Sequence, residues 1–293
     1  MALQYILLAF GVFCCSTAVI MVKACGVEAI PLAAYRQLIA AAVLAPLFVR
    51  EWRRHASAFG RRQTLRAILP GVLLGTHFMT WIYGARLTDA ANASLIVNMV
   101  PIVMPFLLHV LIRERLTRGE WLATAIALAG LLVLTAADYE FRPDHFLGDV
   151  VCLGSMLLFA GYLALGRRNR DFPSIWLYIP PVYLAGGMAC LLTALAAGSD
   201  LAVPSPRDWL LVLGLGIVPT VLGHSLLNVA MRHLRGQTVS IANLSQFLFA
   251  GVLAFFLLDE IPAWNFYLAA VLVVAGAVLA VRSTPREARK PQK

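Results

Sequence analysis

Apolar residues fill this chain in runs of about twenty, separated by short stretches that hold most of the charge. A helix rises 1.5 Å per residue, so about 20 apolar residues cross the hydrocarbon of a bilayer. Ten such runs can be marked: Leu3–Val22, Pro31–Val49, Ala67–Tyr83, Ala90–Ile112, Thr117–Ala136, Phe146–Leu165, Ser174–Ala197, Trp209–Ala230, Thr238–Leu258 and Ala263–Val281. The polar–apolar alternation of barrel strands is absent, so the backbone must satisfy itself as helix. The expected fold is all-α and integral to the membrane, with ten transmembrane helices.

The pattern also repeats. Residues 94–114 read SLIVNMVPIVMPFLLHVLIRE and residues 240–260 read SIANLSQFLFAGVLAFFLLDE. A shift of 146 positions pairs Arg86 with Arg232, Ser94 with Ser240, Leu107 with Leu253 and Glu114 with Glu260. It also pairs Ala123 with Ala269 and Gly130 with Gly276. Each half then carries five spans, an odd number, so the second copy inserts upside down relative to the first. The expected organisation is a first five-helix repeat at 1–137, an extracytoplasmic linker at 138–145, a second five-helix repeat at 146–282, and a basic cytoplasmic tail at 283–293. Inverted repeats of this kind are typical of secondary transporters, with solute bound near the midplane.

Charge sets the orientation. With the arginine-rich loop after the second run placed in the cytoplasm, alternation puts 19 of the 24 Lys and Arg residues on that side. Lys23, Arg86, Arg142 and Arg207 fall on the other, and Arg36 falls inside a run. By the positive-inside rule both termini are cytoplasmic. The net charge of +9 therefore reflects topology, and no nucleic-acid partner is expected. A composition of 60% apolar and 13% charged residues, with mean hydropathy +0.79, excludes an ordinary soluble domain. Of the five cysteines, Cys14, Cys15, Cys25, Cys152 and Cys190, none forms a CxxC pair, which favours neither a disulfide framework nor a metal site. The first run has no Lys or Arg before Lys23 and reads as a retained span. Three lysines against 21 arginines, with short loops, fit a bacterial inner membrane.

Ionisable residues at membrane depth are costly and mark function by default. Here they are Arg36, His77, His109 and His224, with every carboxylate near a span end. His77 with Trp81 one turn on, and His224 with Asn228 one turn on, are candidates for a central cavity, one pair from each half. Either histidine can serve as a proton carrier, or it can donate one hydrogen bond to a neighbouring helix and pack. Asn98, Pro101, Pro105 and His109 form one stripe of the fourth run, and the prolines free the carbonyls of Val97 and Pro101 as acceptors. Asn243 and Gln246 form the counterpart in the ninth. Arg36, about 9 Å below the end of its run, either draws an anion inward or snorkels to headgroups, and the structural role is expected. Thr117 and Glu120 read as a capping box, while Glu114 and Glu260 fall on opposite faces and are expected to pair with loop arginines. Gly71 with Gly75, and Gly276 with Ala280, are small-residue pairs for close helix packing.

Several short motifs, in this order, carry a resemblance. They are Lys23 closing the first run, Pro31 and Arg36 in PLAAYRQL, the Ala-Ser-Leu stretch up to Pro101, Glu114–Leu116, the Ala-Gly pair at 129–130, and FAGYLALGR from Phe159 to Arg167. Over nearly its whole length the chain resembles the drug/metabolite transporter superfamily in its EamA-like branch. It departs from that pattern at Cys15-Ser16 in the first run and at Phe247 opposite Pro101. The resemblance implies a helical bundle around a central cavity that moves small metabolites. The expected function is therefore alternating-access transport of a small polar organic solute such as an amino acid, in the export direction. No cofactor or metal is expected. The expected partners are the solute and the bilayer, with the protein a monomer or homodimer. An uncoupled facilitator or lipid-handling protein of the same fold, and an intramembrane enzyme using His77 and His224, are the alternatives.

Overall fold

The computed structural model describes residues 2–88, 93, 96–138, 145–258 and 264–283, and all regular structure among them is helical. Helices α1 (Ala2–Ser16) and α2 (Ala18–Ala24) follow the first run, α3 (Ala29–Arg54) the second and α4 (Arg61–Leu87) the third. Next come α5 (Val100–Ile112), α6 (Arg118–Asp138), α7 (Phe146–Arg168) and α8 (Ile179–Ala196). The last runs give α9 (Pro206–Leu215), α10 (Ser225–His233), α11 (Gly236–Leu244), α12 (Gln246–Leu258) and α13 (Trp264–Arg282). Among the described residues, seven stretches are long and apolar enough to cross a bilayer: Leu3–Ala24, Ala29–Arg54, Arg61–Leu87, Phe146–Arg168, Ile175–Ala196, Pro206–His233 and Trp264–Arg282. A shorter apolar helix covers Ile96–Ile112, and α6 and the α11–α12 pair occupy the fifth and ninth runs. The linker residues 139–144, the tail beyond Ser283, Ser94 and Glu260 lie outside the described residues.

Two symmetric features tie the halves together. The fourth and ninth runs both break, at Met99 and at Ser245. In each, the N–H of the breaking residue donates to the carbonyl three back (Ile96 and Ala242, 3.1 and 3.0 Å). Its own carbonyl accepts from the N–H three ahead (Ile102 and Leu248, 3.0 and 3.1 Å). Helices α6 and α13 also cross with exchanged contacts. A Cβ on Gly130 would stand 3.0 Å from the Ala269 carbonyl oxygen, and one on Gly276 2.8 Å from that of Ala123. The first partner of each contact lies seven residues further along its helix, the second seven residues back, so the two helices run antiparallel. The glycines let them approach backbone to backbone.

Glycine plays the same part where α4 meets α8, since Cβ atoms at Gly71 and Gly75 would crowd the carbonyls of Val182 and Gly186. The Thr117–Glu120 capping box forms as expected, with Glu120 N–H to Thr117 Oγ1 at 3.2 Å and Thr117 N–H to Glu120 Oε2 at 2.8 Å. Next to it Glu114 receives Arg167 (3.2 Å), and Arg235 binds both oxygens of Glu120 and the carbonyl of Arg115. Both acids come from the first half and both arginines from the second. This buried cluster ties the arginine-rich ends of the halves together.

Candidate functional site

The eighth run supplies the unusual backbone. Between α9 and α10 the helix winds as a π-helix over Gly216–His224, a wide turn that often marks functional sites. Pro219 lacks the N–H that would bond Leu215 one turn back. The hydroxyl of Thr220 takes that carbonyl instead, at 2.7 Å. Tyr183 on α8 donates to the Thr220 carbonyl at 2.9 Å and pins the wide turn from outside.

Thr220 Oγ1, with its proton committed to Leu215, is left as an acceptor, and Arg36 Nε donates to it at 3.0 Å. The guanidinium lies over the Phe78 ring, Cζ 3.7 Å from the centroid. Arg36 is fully buried. It does not snorkel: the wide turn of the eighth run and the ring of α4 hold it inside, against the expectation for a residue near a span end. Nη1 and Nη2 have no hydrogen-bond partner among the described residues.

Beside it, His77 stacks on Phe159 at 4.7 Å, and His224 makes T-shaped contacts with Phe78 and Phe159 at 4.9 and 5.6 Å. Nδ1 of His77 faces the Ser155 carbonyl at 3.1 Å and the Ser155 hydroxyl at 2.8 Å. A carbonyl only accepts, so Nδ1 carries the proton, and the Ser155 hydroxyl donates back to the His77 carbonyl at 2.8 Å. These bonds lock α4 to α7. Nδ1 of His224 is buried without a partner among the described residues.

These groups surround one cavity of about 60 Å³. A single water needs about 10–15 Å³ on this measure, so the space suits a few waters or a small polar group. His77, Trp81, Asn98, His224 and Gln246 border it, as do Arg36, Cys15 and Phe247. Three other candidates stand behind the wall. Asn228 donates to the Tyr162 hydroxyl and to the His224 carbonyl (2.8 Å). Asn243 donates to Asn98 at 3.4 Å and accepts from Gln246 at 2.7 Å, which joins the two broken helices. Pro101 stands in the first turn of α5, where proline is tolerated. The carbonyl of Pro101, read from sequence as an acceptor for solute, is taken by Gln237 Nε2 at 3.1 Å, and that amide also donates to Thr124 at 2.8 Å.

Sequence reasoning missed Phe78, Phe159 and Thr220 as the frame of the site. Their signal was present only for Thr220, which follows Pro219 in an otherwise apolar run.

A buried polar chamber inside a multi-pass helical bundle marks a functional membrane protein. Comparison with known proteins sharpens this. The EamA-like transporter family matches residues 2–136 and again 146–282, and the chain belongs to that family. An uncharacterized transporter of Archaeoglobus fulgidus is 28% identical over 204 residues, 69% of this chain and 71% of that one. The pseudopaline exporter CntI of Pseudomonas aeruginosa is 23% identical over 235 residues, 78% of this chain and 76% of that one. A solved crystal structure at 19% identity has the same fold, with a TM-score of 0.79 over 97% of this chain and 99% of that one.

Proposed function

We propose that this protein is a secondary transporter that moves a small polar organic solute by alternating access, outward from the cytoplasm of a bacterial cell. The single observation that carries the reading is the makeup of the cavity. Arg36, His77, Trp81 and Asn98 come from the first family match, and Phe159, His224 and Gln246 from the second. A site built at the seam of two repeats changes access when the repeats rock. The ten-crossing layout, the upside-down second repeat and the substrate role of His77, Trp81, Asn98, His224 and Gln246 belong to this proposal, with Pro101, Asn228 and Asn243 holding the wall from behind. Support for inversion comes from the antiparallel, exchanged contacts of Gly130 and Gly276.

Sidedness follows from distances along the helices. Arg36 lies seven residues from Ala29 and Trp81 six from Leu87, about 10 Å from the arginine-poor end. Beyond the cavity floor, the Tyr162–Asn228 bond, the Gln237 bridge and the Glu114–Arg167–Arg235–Glu120 cluster close the arginine-rich end. With positive charge inside, this is a state closed to the cytoplasm. The export direction finds support in a relative named as an exporter. His77 and His224 are the candidate proton carriers.

The Ser155–His77 pair speaks for a carrier over an intramembrane enzyme. A serine nucleophile needs its proton aimed at the imidazole, whereas here Ser155 donates to a carbonyl and the ring donates to Ser155. The test is counterflow in proteoliposomes across amino acids, organic acids, amines, sugars and nucleosides. Accumulation of one solute against its gradient, driven by a pH step and lost in His77→Gln or His224→Gln, is the expected result. A folded protein that accumulates none of them sinks the carrier reading.

A further inference from the structure

Arg36 has every mark of a residue waiting for a partner. Its charge is fully buried, and no Asp or Glu pairs with it among the described residues. Burying an unpaired charge is expensive, and proteins pair such charges or place them where a ligand completes them. The ring of Phe78 compensates part of the cost. Thr220 takes Nε, which leaves the outer edge of the fork, Nη1 and Nη2, as the pair of donors without acceptors. That edge matches a carboxylate, whose two oxygens accept two parallel N–H bonds.

The rest of the wall narrows the choice. Arg36 is the single Lys or Arg among the lining residues, and none of them is Asp or Glu. A monoanion balances the charge, while a phosphate dianion leaves one negative charge without a cation. An amine finds only neutral acceptors, the amide oxygens, a hydroxyl and imidazole nitrogens, and no anion, so it is optional and the carboxylate is not. Trp81 Nε1, a donor, and His224 Nδ1, both buried without partners among the described residues, remain for a hydroxyl or further polar group of the solute. The rings of Phe78 and Phe159 border the cavity and suit a short apolar body.

We propose that the cavity is a carboxylate site, clasped by Nη1 and Nη2 of Arg36, and that the solute is a small organic acid or zwitterionic amino acid. This rests on the carrier reading for its physiological meaning, but binding can be tested without transport.

The experiment measures thermal stabilisation and calorimetric binding of the purified full-length protein in lipid nanodiscs. The probes are propionate, lactate and alanine, each against its amide, with methylphosphonate at about pH 9 as the dianion, at up to tens of millimolar and matched ionic strength and pH. The expected result is stabilisation by at least one carboxylate and none by its amide. Arg36→Lys keeps the charge but loses the fork, and should bind about tenfold more weakly or worse. Arg36→Gln should not bind. If both variants fail to fold, the carboxylate–amide comparison on the unaltered protein decides. Equal binding of the amide, preference for methylphosphonate, or no binding of any carboxylate overturns the proposal. Counterflow of a neutral or cationic solute would leave the carrier reading standing and remove the clasp. Carboxylate binding through Arg36 with no flux of any solute would do the reverse.

Discussion

Met99 and Ser245 stand 146 residues apart and make the same tight turn, each bonding three residues back and three ahead. One turn is followed by Pro101 and the other by Phe247 at the equivalent place. The break therefore does not depend on proline. Pro101 occupies the first turn of α5, where its missing N–H costs nothing. Pro101→Ala should change stability by less than about 1 kcal/mol and leave transport within a few-fold of the parent. Thermal unfolding in detergent and counterflow check this. A loss of several kcal/mol would mean the proline itself makes the break.

The clustered charges at the arginine-rich end should behave as a unit. Glu120 is fully buried and Arg235 nearly so, and removing one member of a buried pair costs about 3–5 kcal/mol by leaving the other charge unpaired. Glu120→Gln and Arg235→Met should each destabilise strongly, and the double variant should lose much less than their sum. A double-mutant cycle of melting temperatures measures the coupling. Strict additivity would show that the two side chains do not interact in the membrane-embedded protein.

Two glycines offer a matched contrast. Gly276 faces the Ala123 carbonyl at a distance no Cβ tolerates, so Gly276→Ala must push α13 off α6 and should cost about 1–3 kcal/mol. Gly154, on α7, has nothing within 4 Å of a Cβ. Gly154→Ala should be neutral or stabilise by up to about 1 kcal/mol through helix propensity. Melting temperatures of the two variants in the same detergent compare them directly, and equal effects would contradict the crossing.

Near the arginine-rich end of α4, Arg66 donates to both oxygens of Asp171, which lies outside the spans, at 2.6 and 3.0 Å. These bonds hold the Asp171 carboxyl below its ordinary range. A carboxylate with a depressed folded pKa stabilises fully above the unfolded value of about 3.9, and loses that contribution as pH falls through the folded pKa. Asp171 is 61% exposed, so the pair is worth only about 0.2–1 kcal/mol. Asp171→Asn should lower the melting point slightly at pH 7 and leave it unchanged near pH 2. A difference that persists at the acid end would point to another cause.

The helices and their family were legible because a lipid-spanning helix announces itself by length and apolarity, and because the 146-residue repeat needed no gap. Gly130 and Gly276 could be paired on paper for that reason. The direction of Arg36 could not. Sequence gives depth along a helix, but whether a long side chain turns to headgroups or inward depends on what the neighbours offer. Here the offer is Thr220 on a π turn, which differs from an ordinary turn by one residue and leaves no mark in the hydrophobic period. The partners of Glu120 and Pro101 were equally hidden. Arg235 and Gln237 lie over a hundred residues away, and an amide in an apolar run reads the same whether it faces solute or a carbonyl.

The crossing of α6 with α13 also carries a timetable. On the ribosome, the face of α6 that bears Ala123 and Gly130 is made before residue 139, and its mate α13, Trp264–Arg282, follows over a hundred residues later. For the whole of that interval these small residues wait for their partner. The late-made α13 is thus the piece that closes the contact, and the two halves cannot finish docking along this seam before it enters the bilayer.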